Sequence, residues 1–131
     1  MSNSPLSLRT VLFFDAATCA VMGTALMLGA GPIASLTLIP PSLLYYAGLM
    51  LLPIAAFMAL VALPANPPAL GVWLVILGNI GWVIASVALI FGDWIAPNTL
   101  GILFIGAQAA AVALLAALEY GVLTSARRLA V

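Results

Sequence analysis

Val11-Leu-Phe-Phe-Asp15-Ala-Ala-Thr18-Cys19-Ala-Val-Met22-Gly23-Thr24-Ala-Leu-Met-Leu-Gly29 is apolar almost throughout, yet an aspartate sits inside it. As a helix this stretch is long enough to cross a hydrocarbon layer, which takes roughly 20 residues. A carboxyl group at membrane depth costs about 2.5–3.5 kcal/mol unless it is paired, protonated or wetted. The sequence therefore predicts a group elsewhere, in the chain or in a partner, that answers Asp15.

The remainder of the chain has the same character. Hydrophobic residues make up 66% of the 131 residues and charged ones 5%, against roughly a quarter charged in soluble domains. Three arginines and three acidic residues cannot cover a water-soluble surface of this size, so the solvent for most of the chain is lipid. Zero net charge and the absence of any basic run argue against nucleic acid and against polybasic lipid binding. The lipid bilayer itself is the expected partner. The apolar run from Val11 to Leu28 exceeds a signal-peptide core of roughly 7–15 residues, which predicts an uncleaved first span.

Punctuation by proline and glycine divides the sequence into four spans, at about 10–29, 42–63, 69–92 and 100–123. Gly29-Ala-Gly-Pro32 predicts a turn after the first, and Ile33–Ile39 is too short to span and is placed at the interface. Ser42 is positioned to cap the second span after Pro40-Pro41, and Pro53 predicts a kink within it. The tight Pro64-Ala-Asn-Pro67-Pro68 connection predicts that the second and third spans are antiparallel neighbours. The resulting fold class is all-α, a single polytopic domain over 1–131 built as a four-transmembrane-helix antiparallel bundle. Arg9, Arg127 and Arg128 then flank one side and Asp93 the other, so the positive-inside rule puts both termini in the cytoplasm. Trp73, Trp94 and Tyr120 fall near span ends, where amphipathic rings anchor to headgroups.

Rise per residue gives the depth of each polar interruption. Asp15 lies six residues beyond Arg9, about 9 Å in, and Glu119 eight residues before Arg127, about 12 Å in from the same side. Asn79 lies about 16 Å beyond Pro68, and Gln108 about 12 Å in from the opposite face. Two tiers are predicted, Asp15 with Glu119 toward the cytoplasm and Asn79 with Gln108 above them. Asp15, Thr18, Met22 and Gly29 share a face of the first span, and Asn79, Trp82, Ser86 and Asp93 a face of the third. Three readings of these groups are open, the last being ligand binding. In the first they only fix packing, with Asp15 accepting from Asn79 or Thr18 and Glu119 reaching interfacial water. In the second they carry a proton or cation through low dielectric.

In the fourth span Ala109, Ala113, Ala117 and Gly121 form a ridge of small residues at four-residue spacing, which permits close backbone approach within the bundle or against another subunit. Chemistry is hard to build from the rest. Histidine is absent and Cys19 is alone, which removes His-based acid–base catalysis, the usual haem ligand and the common zinc and copper donors. No metal site and no cofactor are expected. Gly78-Asn-Ile-Gly81 lies inside a span and lacks the lysine of a phosphate loop.

Arg9 with Asp15, Tyr46-Ala-Gly-Leu-Met-Leu-Leu-Pro53, Asn79-Ile-Gly-Trp82 with Ser86, and Glu119-Tyr-Gly121 resemble the small, uncharacterised four-helix inner-membrane proteins common in bacteria. The resemblance implies four spans and a bacterial inner (cytoplasmic) membrane, and brings no activity with it. The sequence therefore predicts a non-enzymatic structural or accessory membrane component that associates by helix packing, as a homo-oligomer or within a larger membrane complex. The alternative is a small oligomeric transporter or proton-coupled carrier using Asp15 and Glu119.

Overall fold

The computed structural model describes residues 7–130, with side chains through Ser125. Its elements are all helices: α1 (Leu8–Leu28), α2 (Ala30–Thr37), α3 (Pro41–Ala62), α4 (Ala69–Phe91) and α5 (Thr99–Ala130). α1, α3, α4 and the Thr99–Ser125 part of α5 are each long and apolar enough to cross a membrane, which makes the chain a multi-pass membrane protein.

The local chemistry explains where the helices begin and end. α1 starts two residues earlier than Thr10 because the Ser7 hydroxyl caps it, accepting the Thr10 backbone N–H at 3.1 Å. The expected turn at Gly29–Pro32 is instead the beginning of α2. Pro32 is the third residue of that helix, where the missing N–H would have had no intrahelical partner anyway. α2 stops at Leu38, which takes a left-handed conformation at φ 58°, and Pro40-Pro41 then sets α3. Ser42 does not cap α3. Pro41 is already its first residue and no side chain caps the start. α3 continues as one helix through Pro53.

Helix pairing departs from expectation. α1 packs along its length against α3, and α4 against α5, whereas α3 and α4 barely touch despite the short loop between them. A short loop fixes antiparallel direction but not lateral contact. What draws α1 onto α3 is the Gly23–Gly48 crossing. A Cβ on Gly48 would lie 2.6 Å from the Gly23 carbonyl oxygen, and one on Gly23 2.9 Å from the Gly48 oxygen, so the two backbones touch. The molecule is thus two helical hairpins with a cleft between them, and α2 folds back over one end against α3 and α5.

Polar ties close both ends. Arg9 Nε–H donates to the Ala62 carbonyl at 2.9 Å and a second guanidinium N–H to Leu63 at 3.1 Å, meeting carbonyls that the end of α3 leaves without intrahelical donors. Trp73 and Tyr120 stack edge to face at the same end, with centroids 5.7 Å apart. At the opposite end the Asn98 amide donates to the Leu36 carbonyl at 2.8 Å. Its Oδ1 caps α5 by accepting the Gly101 N–H at 2.8 Å. Arg127 and Arg128 continue α5 at the Arg9 end, and their side chains lie outside the described residues. Arg9→Ala should lower stability by about 1–2 kcal/mol, the scale of losing charge-assisted hydrogen bonds at a partly exposed helix end. Thermal unfolding in detergent, compared with Arg9→Lys, checks it, and an unchanged midpoint contradicts it.

The distribution of polarity is inverted relative to a soluble protein. Phe14, Val21, Leu28, Leu70, Ile84 and Phe91 are exposed, while Asp15, Asn79, Ser86 and Glu119 are buried. An exterior of this kind belongs in lipid.

Candidate intramembrane carboxyl site

Three helices deliver the central cluster. α1 supplies Asp15, α4 Asn79 and α5 Glu119, with exposures of 1%, 5% and 0%. The Asn79 amide sits between the two acids. Its Nδ2 donates to Asp15 Oδ2 at 2.8 Å and to Glu119 Oε1 at 3.0 Å. The two carboxyls thus share one amide nitrogen as their donor. Glu119 Oε2 is buried and has no hydrogen-bond partner. The Cys19 thiol lies 3.7 Å from Asp15 Oδ1 and 3.8 Å from Met58 Sδ, which closes the α1 and α3 side.

The predicted tiers are re-sorted by this geometry. Asp15 and Glu119, expected at similar depth, are brought together by Asn79, which joins them instead of Gln108. Axial rise places the Cα, whereas a helical side chain leans toward its own N-terminus. On α4 that direction runs toward the Arg9 end, so the amide reaches down to the acids. Glu119 is fully buried and does not reach interfacial water.

Gln108 belongs to a second, separate circuit one turn away along α4. Trp82 Nε1–H donates to Gln108 Oε1 at 2.7 Å, and Gln108 Nε2 donates to Ser86 Oγ at 2.9 Å and to the Ile105 carbonyl at 2.8 Å. The Ser86 hydroxyl donates to the Trp82 carbonyl at 2.8 Å. Every donor in this group has a protein acceptor, and no ionisable group takes part.

Thr18 takes no part in the site. Its hydroxyl donates to the Phe14 carbonyl of its own helix at 2.8 Å. The buried stripe of α1 runs through Leu12, Asp15, Cys19, Gly23 and Leu26, and a three-residue step from Asp15 falls to one side of it. Asp93 lies beyond the end of α4 and is exposed. Cys19 and Met58 are the partners that sequence reading passed over. Cys19 stands one helical turn from Asp15, which is the signal that would have placed it there.

The small-residue ridge of α5 does not pack inside the protein. Ala109 is buried, but Ala113, Ala117 and Gly121 are exposed, and a Cβ on Gly121 would meet nothing within 4 Å. A four-residue step rotates about 40° beyond a full turn, so a strict four-residue ridge winds off the packed face. The face that α5 turns inward is instead Ile105, Ala109, Ala116, Glu119 and Leu123.

Beside the carboxyl cluster the cleft widens into two adjoining cavities of about 300 and 490 Å³. Ile54, Gly78 and Trp82 line both. Cys19 and Asn79 border the smaller cavity, so it reaches the carboxyl cluster, while Ser86 and Gln108 border the larger. Comparison of the chain with protein-family models, with curated proteins and with solved structures gives no match, and the site is read from its own geometry.

Proposed function

We propose that this chain works as a small proton-coupled carrier of the bacterial inner membrane, with both termini in the cytoplasm, and that the Asp15–Asn79–Glu119 cluster is its proton-holding site. The observation that carries the reading is the pair of buried acids bridged by a single amide, with Glu119 Oε2 left without a partner. Packing between membrane helices needs only neutral amides and hydroxyls, and the Trp82–Gln108–Ser86 circuit already provides that. Two acids at the same place add a large burial cost and gain no helix contact that neutral residues would not make. Two negative charges held by one amide nitrogen in lipid repel strongly, and one proton shared between the carboxyls removes that repulsion. A site of this kind holds a proton and gives it up when another cation arrives.

Infrared spectroscopy of the protein in lipid tests this directly. A carbonyl band of a protonated buried carboxyl is expected in the wild type near neutral pH, and it should vanish in the double variant Asp15→Asn, Glu119→Gln. Both changes keep shape and hydrogen-bonding capacity, so the fold should persist. A wild-type spectrum with no such band overturns the reading.

The accessory reading, with association through α5, draws on the exposed Ala113, Ala117 and Gly121 strip, which leaves room for a second helix. The two readings are compatible. A homo-oligomer packed along α5 is the form in which four helices would best enclose a path. No catalytic step, cofactor or metal enters the proposal.

A further inference from the structure

The cleft between the hairpins has a feature that neither packing nor proton storage explains. Gly78 and Gly81 lie in the middle of α4 and line it, and a Cβ on either would meet nothing within 4 Å. Glycines inside membrane helices ordinarily serve close helix approach, as Gly23 and Gly48 do in this protein. Gly78 and Gly81 are exposed on the cleft side of α4, so they keep the cleft wide, and its smaller cavity adjoins the carboxyl cluster through Asn79 and Cys19. The two volumes, about 300 and 490 Å³, fall at the size of small-molecule sites. Because α3 and α4 barely touch, the cleft opens sideways into the bilayer.

We propose that this cleft binds a lipophilic amine taken from the bilayer between α3 and α4, with the Asp15–Glu119 pair as its counter-charge. The inference rests on the proton-holding reading of that pair. Charge decides the class of ligand. No cationic side chain among the described residues reaches the pair, since Arg9 is committed to the α3 carbonyls. The polar and sulfur neighbours seen at the pair are Cys19 on α1 and Asn79 on α4, with Met58 of α3 behind Cys19. Glu119 is itself the ionisable group from α5, so no fixed positive charge among the described residues competes with a ligand there. The cleft walls are apolar, which excludes hydrated ions and favours a greasy body. Trp82, one turn from Asn79, presents a ring to both cavities and suits an ammonium group.

The step balances simply. The amine loses a proton to water, partitions into the bilayer as the free base and enters the cleft. Asp15 and Glu119 lie behind Asn79 and Cys19 and do not themselves line the cleft, so the Asn79 amide turns aside as the amine reaches them. The shared carboxyl proton then moves to its nitrogen, an N–H bond forming as the O–H bond breaks, and leaves an ammonium against two carboxylates. One proton therefore appears in the buffer for each amine bound.

The probe is 1-adamantylamine, a compact cage bearing one amino group, titrated by calorimetry into the purified full chain in detergent. Saturable binding is expected, with a heat that varies with buffer ionisation as release of one proton requires. Affinity should fall at least tenfold in Asp15→Asn, Glu119→Gln. It should also fall at least tenfold in Gly78→Leu, where a Cβ meets nothing within 4 Å and the rest of the side chain takes up cleft volume. The carboxylic-acid infrared band should survive in Gly78→Leu, which separates loss of the cleft from loss of the proton site. Equal binding of 1-adamantanol, equal binding of the N,N,N-trimethyl derivative that has no free base, or no saturable binding at all would each overturn the proposal. If binding is absent while the infrared band is present, the proton site stands and the amine does not.

Discussion

Asn79→Leu should destabilise the protein by about 3–5 kcal/mol, the scale on which one member of a buried charged network is removed and the others are left without a partner. Leucine is close to asparagine in size, so little of this loss comes from a cavity. The loss comes from Asp15 Oδ2 and Glu119 Oε1, which each lose the amide N–H that now meets them at 2.8 and 3.0 Å. The same change made in the background Asp15→Asn, Glu119→Gln should cost only about 1 kcal/mol, because neutral amides bond one another or tolerate an absent partner at lower cost. Denaturant unfolding in detergent micelles gives both numbers, and their difference is the coupling between Asn79 and the acids. Equal costs in the two backgrounds would mean that Asn79 stabilises something other than the carboxyl pair.

Gly48→Leu is the second substitution with a large expected effect, about 3 kcal/mol, at the upper end of what overpacking usually costs. A Cβ at this position would stand 2.6 Å from the Gly23 carbonyl oxygen, 2.9 Å from Leu26 Cβ and 2.9 Å from the Met27 nitrogen. Two of those three atoms are backbone, so rotation of a flexible side chain cannot relieve the clash, and α1 has to move off α3. Gly121→Leu is the control, since nothing lies within 4 Å of a Cβ there. Unfolding midpoints of the monomer should fall for Gly48→Leu and stay near the wild type for Gly121→Leu. Equal effects would place the critical helix contact elsewhere.

Much of this architecture can be read along the chain, and the parts that cannot share a cause. Span number and most boundaries follow from apolar runs broken by proline and glycine, because lipid leaves helix as the only choice for a single-chain segment of that length. α2 escaped because a Gly-x-Gly-Pro string reads as a turn, while a proline in a first helical turn costs nothing in hydrogen bonds. The hairpin pairing is a matter of contact at Gly23 and Gly48, and no loop length encodes it. In the site, Asp15 and Glu119 stand out because an ionisable group in an apolar run is expensive, and their depths agree. The direction of the Asn79 side chain, and the rotation of the Ala113–Ala117–Gly121 strip off the packed face, are angular facts that counting residues along the axis does not contain.

The division of the cluster between two hairpins also sets the order in which it comes into being. Asp15 belongs to the first hairpin, whereas Asn79 lies sixty-four residues later in the second. At a synthesis rate of roughly 5–20 residues per second, Asp15 leaves the ribosome about 3–13 s before the amide that will hold it, and Glu119 follows later still. Until then Asp15 lacks the amide that meets it in the finished fold. Arrival of the second hairpin is thus what gives the first span's buried acid its partner, and a chain ending before α4 would hold a carboxyl in lipid without the amide that offsets its burial.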